Sequence, residues 1–150
     1  MSPVYSRKAI SHALRWAGFA GLLCLAGCGW QGFVHDEVLV GPYRLVAVDV
    51  SEDMSLCRSY GESRVGDGLP GPTVFQAGAD PRYIVVARHP RRGDRADRSI
   101  TEFYYIVRQA DESNAVKPVT VKGPFNEREY QEEKRRLQLP EFTRVFSDLK

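Results

Sequence analysis

The densest chemistry in the chain is Arg88-His89-Pro90-Arg91-Arg92-Gly93-Asp94-Arg95-Ala96-Asp97-Arg98, with five arginines and two aspartates. Guanidinium groups are planar, permanently charged and forked, so a cluster of them suits phosphate or carboxylate. Arg91, Arg92 and Arg95 are therefore the candidate contact surface, facing lipid headgroups, an anionic glycan or an acidic protein patch. The competing reading is a solvated loop whose aspartates partly neutralise it, because most surface charge has no specific partner. The embedded Arg92-Gly93-Asp94 copies an adhesion tripeptide, but three common residues recur by chance.

Other reactive types are sparse. Asp49, Glu52 and Asp53 offer oxygen ligands to Ca²⁺, yet their spacing is not that of an EF-hand loop, and acidic residues are ordinary where a strand turns. His35 and His89 stand far apart with no metal-ligand spacing, so a zinc site would draw heavily on carboxylates. The glycines of Gly61–Gly71 precede no Gly-Lys-Ser/Thr and no helix, which argues against a phosphate cradle. A Gly-x-Ser-x-Gly elbow is missing as well. Two carboxylates could meet in space to cleave a glycoside, but nothing in the sequence selects a pair. The expectation is a protein without metal or cofactor and without catalytic residues.

A different chemistry belongs to Cys28. Arg7, Lys8 and Arg15 give a basic start, Trp16 to Gly27 is almost wholly apolar, and small residues precede the thiol where a peptidase needs an extended backbone. Those twelve residues are too few to span a bilayer, which needs about 20 in a helix. Leu25-Ala26-Gly27-Cys28 resembles the lipobox of bacterial lipoprotein precursors. That resemblance implies removal of residues 1–27, a diacylglycerol on the Cys28 thiol and a fatty acyl chain, such as palmitate, on the new amine. A single chain binds only marginally and several make release rare. In the enterobacterial version of the family an Asp after the cysteine retains a lipoprotein in the inner membrane. Gly29 therefore points to the outer membrane, facing the periplasm. Trp30 and Phe33 lie within five residues of the anchor, where aromatic rings rest among headgroups or pack on the domain.

Loss of the signal changes the charge balance. It removes three basic residues and no acidic one, so 21 Lys plus Arg fall to 18 against 19 Asp plus Glu. The near-neutral remainder gives no argument for nucleic acid. About 120 residues suffice for one domain and are too few for two. With Cys24 removed and Cys28 lipidated, Cys57 is the single free thiol. Within Met54-Ser55-Leu56-Cys57 it reads as a small buried hydrophobe, although a lone thiol in an oxidising envelope can also pair with another chain.

The elements that must position these residues are mostly strands. Tyr43 to Val50 alternates, with Val46, Val48 and Val50 on one face and Leu45 and Ala47 on the other. Thr73–Ala77, Tyr83–Arg88, Ile100–Arg108 and Val116–Lys122 are rich in β-branched and aromatic residues. Gly78-Ala79-Asp80-Pro81 reads as a tight turn, and Gly61–Pro72, with four glycines and two prolines, as a flexible loop. One helix is signalled near the end: Asn126 caps it, Glu129 completes a capping box and Phe125 faces Tyr130 as a hydrophobic staple. Glu127 and Glu129 begin it, Lys134, Arg135 and Arg136 end it as the dipole favours, and Pro140 stops it. Its narrow stripe, Tyr130 and Leu137, predicts a helix resting on a face or edge of the sheet.

The expected fold is α+β, an antiparallel meander of about five strands with one C-terminal helix. Residues 1–27 form the signal, 28–40 a lipid-anchored tether and 41–150 a single domain. Gly41-Pro42-Tyr43-Arg44-Leu45, Gly78-Ala79-Asp80-Pro81-Arg82-Tyr83-Ile84-Val85-Val86, Tyr104-Tyr105-Ile106-Val107 and Gly123-Pro124-Phe125 are similar to a family of small bacterial lipoproteins of unknown function. That resemblance supports the meander-plus-helix outline and carries no catalytic residue. The expected function is a non-enzymatic binding or accessory module, tethered beside an envelope protein or an anionic ligand. An inhibitor or immunity lipoprotein against an envelope-acting hydrolase is the first alternative, and a small envelope hydrolase the second.

Overall fold

The strand-forming runs assemble into two antiparallel sheets. A computed structural model of the chain describes residues 32–59, 65–109 and 118–150. Residues 1–31, including the predicted signal, Cys28 and Trp30, lie outside the described residues, as do 60–64 of the glycine-rich loop and the first two residues of the predicted Val116–Lys122 strand. Gly32–Lys150 is one compact unit.

The first sheet is a meander of β1 (His35–Val40), β2 (Tyr43–Ala47), β3 (Ser55–Ser59) and β4 (Val65–Gly68), in that order. It begins inside the stretch read as tether, because His35–Val40 pairs antiparallel with Tyr43–Ala47. Charged residues conceal this edge strand from a hydrophobicity argument, and charge on an edge also discourages pairing with other chains. Asp36 accepts from Arg44 Nε at 2.7 Å, and Glu37 accepts from Arg144. Part of the predicted flexible loop is likewise strand: β4 pairs with β3, setting Gly68 opposite Cys57. A short 3-10 turn, Ser51–Asp53, carries the chain from β2 towards β3.

The second sheet has the order β10-β9-β6-β5-β11, built from β5 (Val74–Ala79), β6 (Tyr83–Arg88), β9 (Glu102–Val107), β10 (Thr120–Phe125) and β11 (Arg144–Val145). Between β6 and β9 a small separate ladder forms from β7 (Arg91–Arg92) and β8 (Arg95–Ala96). The turn after β5 starts two residues later than the predicted tetrapeptide. Strand β5 runs to Ala79, and Asp80 Oδ1 accepts the backbone N–H groups of Arg82 and Tyr83, each at 2.6 Å. A carboxylate that binds its own chain two and three residues on stabilises such a turn.

Both sheets bury residues in one core. Leu45, Ala47 and Leu56 come from the first, Val74, Ile84, Val86 and Ile106 from the second, and Leu149 from the C-terminus. The second sheet is covered on its other face by α1 (Glu127–Leu137), where Val85 and Tyr105 join Tyr130 and Leu139. This explains why Ile84 to Ala87 are all buried in β6: a central strand covered on both faces loses its apolar-polar alternation.

The fold is thus α+β, antiparallel, with a single C-terminal helix. The helix ends are as the sequence dictates. Asn126 Oδ1 accepts from Glu129 N, Glu129 returns the bond to Asn126 N, both at 3.0 Å, and Gln138 adopts the left-handed conformation before Pro140. The staple is mediated by β9: Phe125 stacks on Tyr105 at 5.8 Å and Tyr130 on Phe103 at 4.7 Å.

Candidate functional site

The arginine-rich segment leaves the end of β6 as a hairpin whose turn contains Gly93 at φ +62°. A positive φ at the tip of a two-residue connection is what the twist of the flanking strands requires, and glycine meets it without strain.

Its base is held by buried groups. His89 is only 3% exposed, and its ring stacks on Phe75 with centroids 4.3 Å apart. The His89 N–H donates to Thr73 O at 3.1 Å, and Nδ1 lies 2.7 Å from the Ile100 carbonyl. A carbonyl only accepts, so Nδ1 carries a proton. Arg88 and Glu102 close the strand ends on either side, with Nη2 to Oε2 at 2.9 Å. Asp97 N donates to Pro90 O at 2.8 Å. The Asp97 carboxylate accepts from Ser99 and lies 2.9 Å from Arg92 Nε. The hydrogen bonds from Ser99 hold this carboxyl below its ordinary range, assisted by the charge of Arg92.

The hairpin also leans on the acidic turn. Arg91 Nη2 donates to Asp53 Oδ1 at 2.7 Å and to Glu52 O at 3.2 Å, while Arg98 lies 3.9 Å from the Glu52 carboxylate. Thr73, fully buried with φ +64°, donates from Oγ1 to the same Glu52 carbonyl at 2.9 Å. Glu52 and Asp53 therefore serve as partners for arginine. Among the described residues, no group of three His, Cys, Asp or Glu side chains is arranged to hold a metal ion. As an exposed pair, Arg91–Asp53 contributes only about 0.5 kcal/mol, so its main consequence is orientation.

The three candidate contact arginines differ. Arg91 is turned inward to Asp53. Arg92 reaches Asp97 but remains 78% exposed, and Arg95 has neither an ion pair nor a side-chain hydrogen bond among the described residues. Arg95 faces a surface cavity of about 370 Å³ with Arg91, Arg98, Glu52, Asp94 and Val50. The open guanidinium of Arg95 has the donor fork from which phosphate or carboxylate can accept, and Asp94 is the cavity carboxylate without an ion pair among the described residues.

The remaining candidates are dispersed. Phe33 is 45% exposed at the start of the described chain. Cys57 is buried, as its apolar neighbours predict, and forms no disulfide among the described residues. His35 lies at β1, edge-on to Phe146 and 3.5 Å from Glu37. A second surface cavity, about 400 Å³, is lined by Pro124, Phe125, Glu129, Glu132 and Glu133. Two of its carboxylates are already committed, Glu129 to the helix cap and Glu133 to Arg136 and Tyr105.

Sequence reasoning missed the roles of His89, Thr73 and the Glu52–Asp53 turn in fixing the hairpin. Only the position of His89 directly after a strand hinted at one of them; the other contacts cross 16 to 39 residues of chain. Comparison of the chain with protein-family models, curated proteins and solved structures found no match.

Proposed function

We infer that this protein is a lipid-anchored component of the bacterial envelope, held through Cys28 to the outer membrane and facing the periplasm. It acts there as a non-enzymatic binding module that presents its arginine hairpin to an anionic group. The observation that carries the reading is Arg95: a guanidinium with no partner among the described residues, on a hairpin whose base is buried and hydrogen-bonded. A guanidinium on a fixed backbone, with no ion pair to break, offers its forked donors directly to phosphate or carboxylate. The basic, apolar and small-residue pattern ending at Cys28 supports the anchor.

The test is purification of the tagged protein from gently crosslinked envelopes, beside Cys28→Ala and the triple variant Arg91→Ser, Arg92→Ser, Arg95→Ser. Mass spectrometry of the N-terminal peptide is expected to show acylated Cys28. Bound protein, glycan or phospholipid is expected with the parent chain and to be lost with both variants. Full retention by the triple variant rules out the hairpin, and an unmodified Cys28 rules out the anchor.

A further inference from the structure

Features from three parts of the chain converge at one end of the domain. The Val34 N–H donates to Val48 O at 3.3 Å, so the residues entering β1 lie beside those leaving β2. Two residues further, Val50 lines the cavity that holds Arg91, Arg95 and Arg98. Phe33, Val34, Val48 and Val50 are each between 45 and 54% exposed. Single exposed apolar side chains are ordinary, whereas four at one end beside an arginine hairpin mark an interaction surface.

Two further facts identify the occupant. Cys28 stands four residues before Gly32, and four residues reach at most about 14 Å even fully extended. An acyl group on that cysteine would therefore hold Gly32 within about 14 Å of the lipid chains, near enough for Phe33 and Val34 to reach the headgroup layer that flanks a hydrocarbon core of about 30 Å. Charge supplies the second fact. Glu52 and Asp94 line the cavity with the three arginines, and Asp53 engages Arg91. That near balance gives a strongly anionic ligand little net attraction and suits a group carrying both signs. Guanidinium donates to phosphate and carboxylate accepts from a primary ammonium.

We propose that this end of the domain is a membrane-docking face for a zwitterionic, phosphoethanolamine-type lipid surface. Phe33, Val34, Val48 and Val50 enter the headgroup layer, Arg95 binds lipid phosphate beside Arg98, and Asp94 takes the ammonium, Glu52 remaining the partner of Arg98. The proposal rests on the lipid anchor inferred above and names the anionic group that the hairpin meets.

The test uses the lipidated full chain with a fluorophore on Val48→Cys, or on Val145→Cys as a control of similar exposure in β11. Each protein is reconstituted into vesicles of phosphatidylcholine and phosphatidylethanolamine that carry a headgroup-level spin-labelled lipid. Flotation with the vesicles reads the anchor, and quenching reads the docking. The label at Val48 is expected to be quenched at least threefold more than that at Val145. Arg95→Ser with Arg98→Ser, and separately Val50→Asp, are expected to abolish the difference without changing flotation. Phosphatidylcholine alone, whose quaternary ammonium donates no N–H, is expected to weaken it. Equal quenching at both positions in floating protein overturns the docking face while leaving the anchor intact. Quenching at Val48 that ignores both the arginine pair and the ethanolamine overturns the headgroup assignment. Protein that does not float overturns the anchor and the docking face together.

Discussion

Replacing Tyr130 with Phe is expected to stabilise the protein, and increasingly so in alkali. Tyr130 is fully buried between the helix and the second sheet, stacked on Phe103 at 4.7 Å and on Phe142 at 5.8 Å. Its hydroxyl has no hydrogen-bond partner among the described residues. An unsatisfied buried hydroxyl costs about 1–3 kcal/mol, and a phenylalanine ring keeps both stacks. The void left by one oxygen, roughly 15 Å³, returns about 0.4 kcal/mol of that at 24 cal/mol per Å³. The net gain is about 1 kcal/mol, or about 4 °C in Tm for a unit of this size. Burial pushes the Tyr130 phenol far above its usual range, with the Glu141 carboxylate adding to the effect. A tyrosine in the unfolded chain loses its proton near pH 10 while the buried one keeps it. Stability from this group is therefore complete below pH 10 and falls by about 1.4 kcal/mol per pH unit above it. The Phe variant has no such proton, so its advantage should roughly double in degrees by pH 11. Tyr104 and Tyr105, also raised by burial, are common to both proteins and cancel in the difference. Thermal melts followed by circular dichroism between pH 8 and 11 check this. A variant that melts no higher than its parent at pH 8, with a gap that does not grow, would refute the reasoning.

Three further outcomes follow from packing and charge. Gly78→Ala is expected to cost about 2–3 kcal/mol in urea unfolding, because a Cβ there would lie 2.0 Å from the Glu141 carbonyl, where the C-terminal segment runs against β5; an unchanged midpoint would show that this segment yields freely. Cys57 is 6% exposed and should resist thiol reagents in the folded protein and react on unfolding, so rapid native labelling would contradict its burial. Ser99→Ala should raise the Asp97 carboxyl, since the hydroxyl bond from Ser99 is the chief cause of its lowering. The contribution of a lowered carboxyl is present above the ordinary carboxylate range and is lost as pH falls through the folded value. The variant should thus lose it at higher pH, read by carbon NMR of the carboxyl, and an unmoved titration would count against the assignment.

Local chemistry explains how much of the fold was legible. The capping box at Asn126 and Glu129 needs contacts only three residues apart, and the helix forms where those residues stand. Tyr83–Arg88 was readable as strand to the residue because its apolar run is bounded by a turn on one side and His89-Pro90 on the other. Strands β1, β3 and β4 were not, for they carry the charges, serines and glycines that a propensity argument assigns to loops. Their pairing partners, rather than their own composition, make them strands.

The same division runs through the candidate site. Composition and spacing were enough to single out Cys28 and the cluster of arginines, because residue type alone sets their chemistry. Only the tertiary structure separated Arg91, drawn inward by Asp53, from Arg95, left open towards a cavity. It also brought the acidic turn beneath the hairpin and Val34 beside Val48. Ion pairs and strand edges form between residues distant in the chain, so which charge is satisfied and which is left to bind is decided by packing and register. The sequence by itself determined what the groups can do; the fold decided which of them are free to do it.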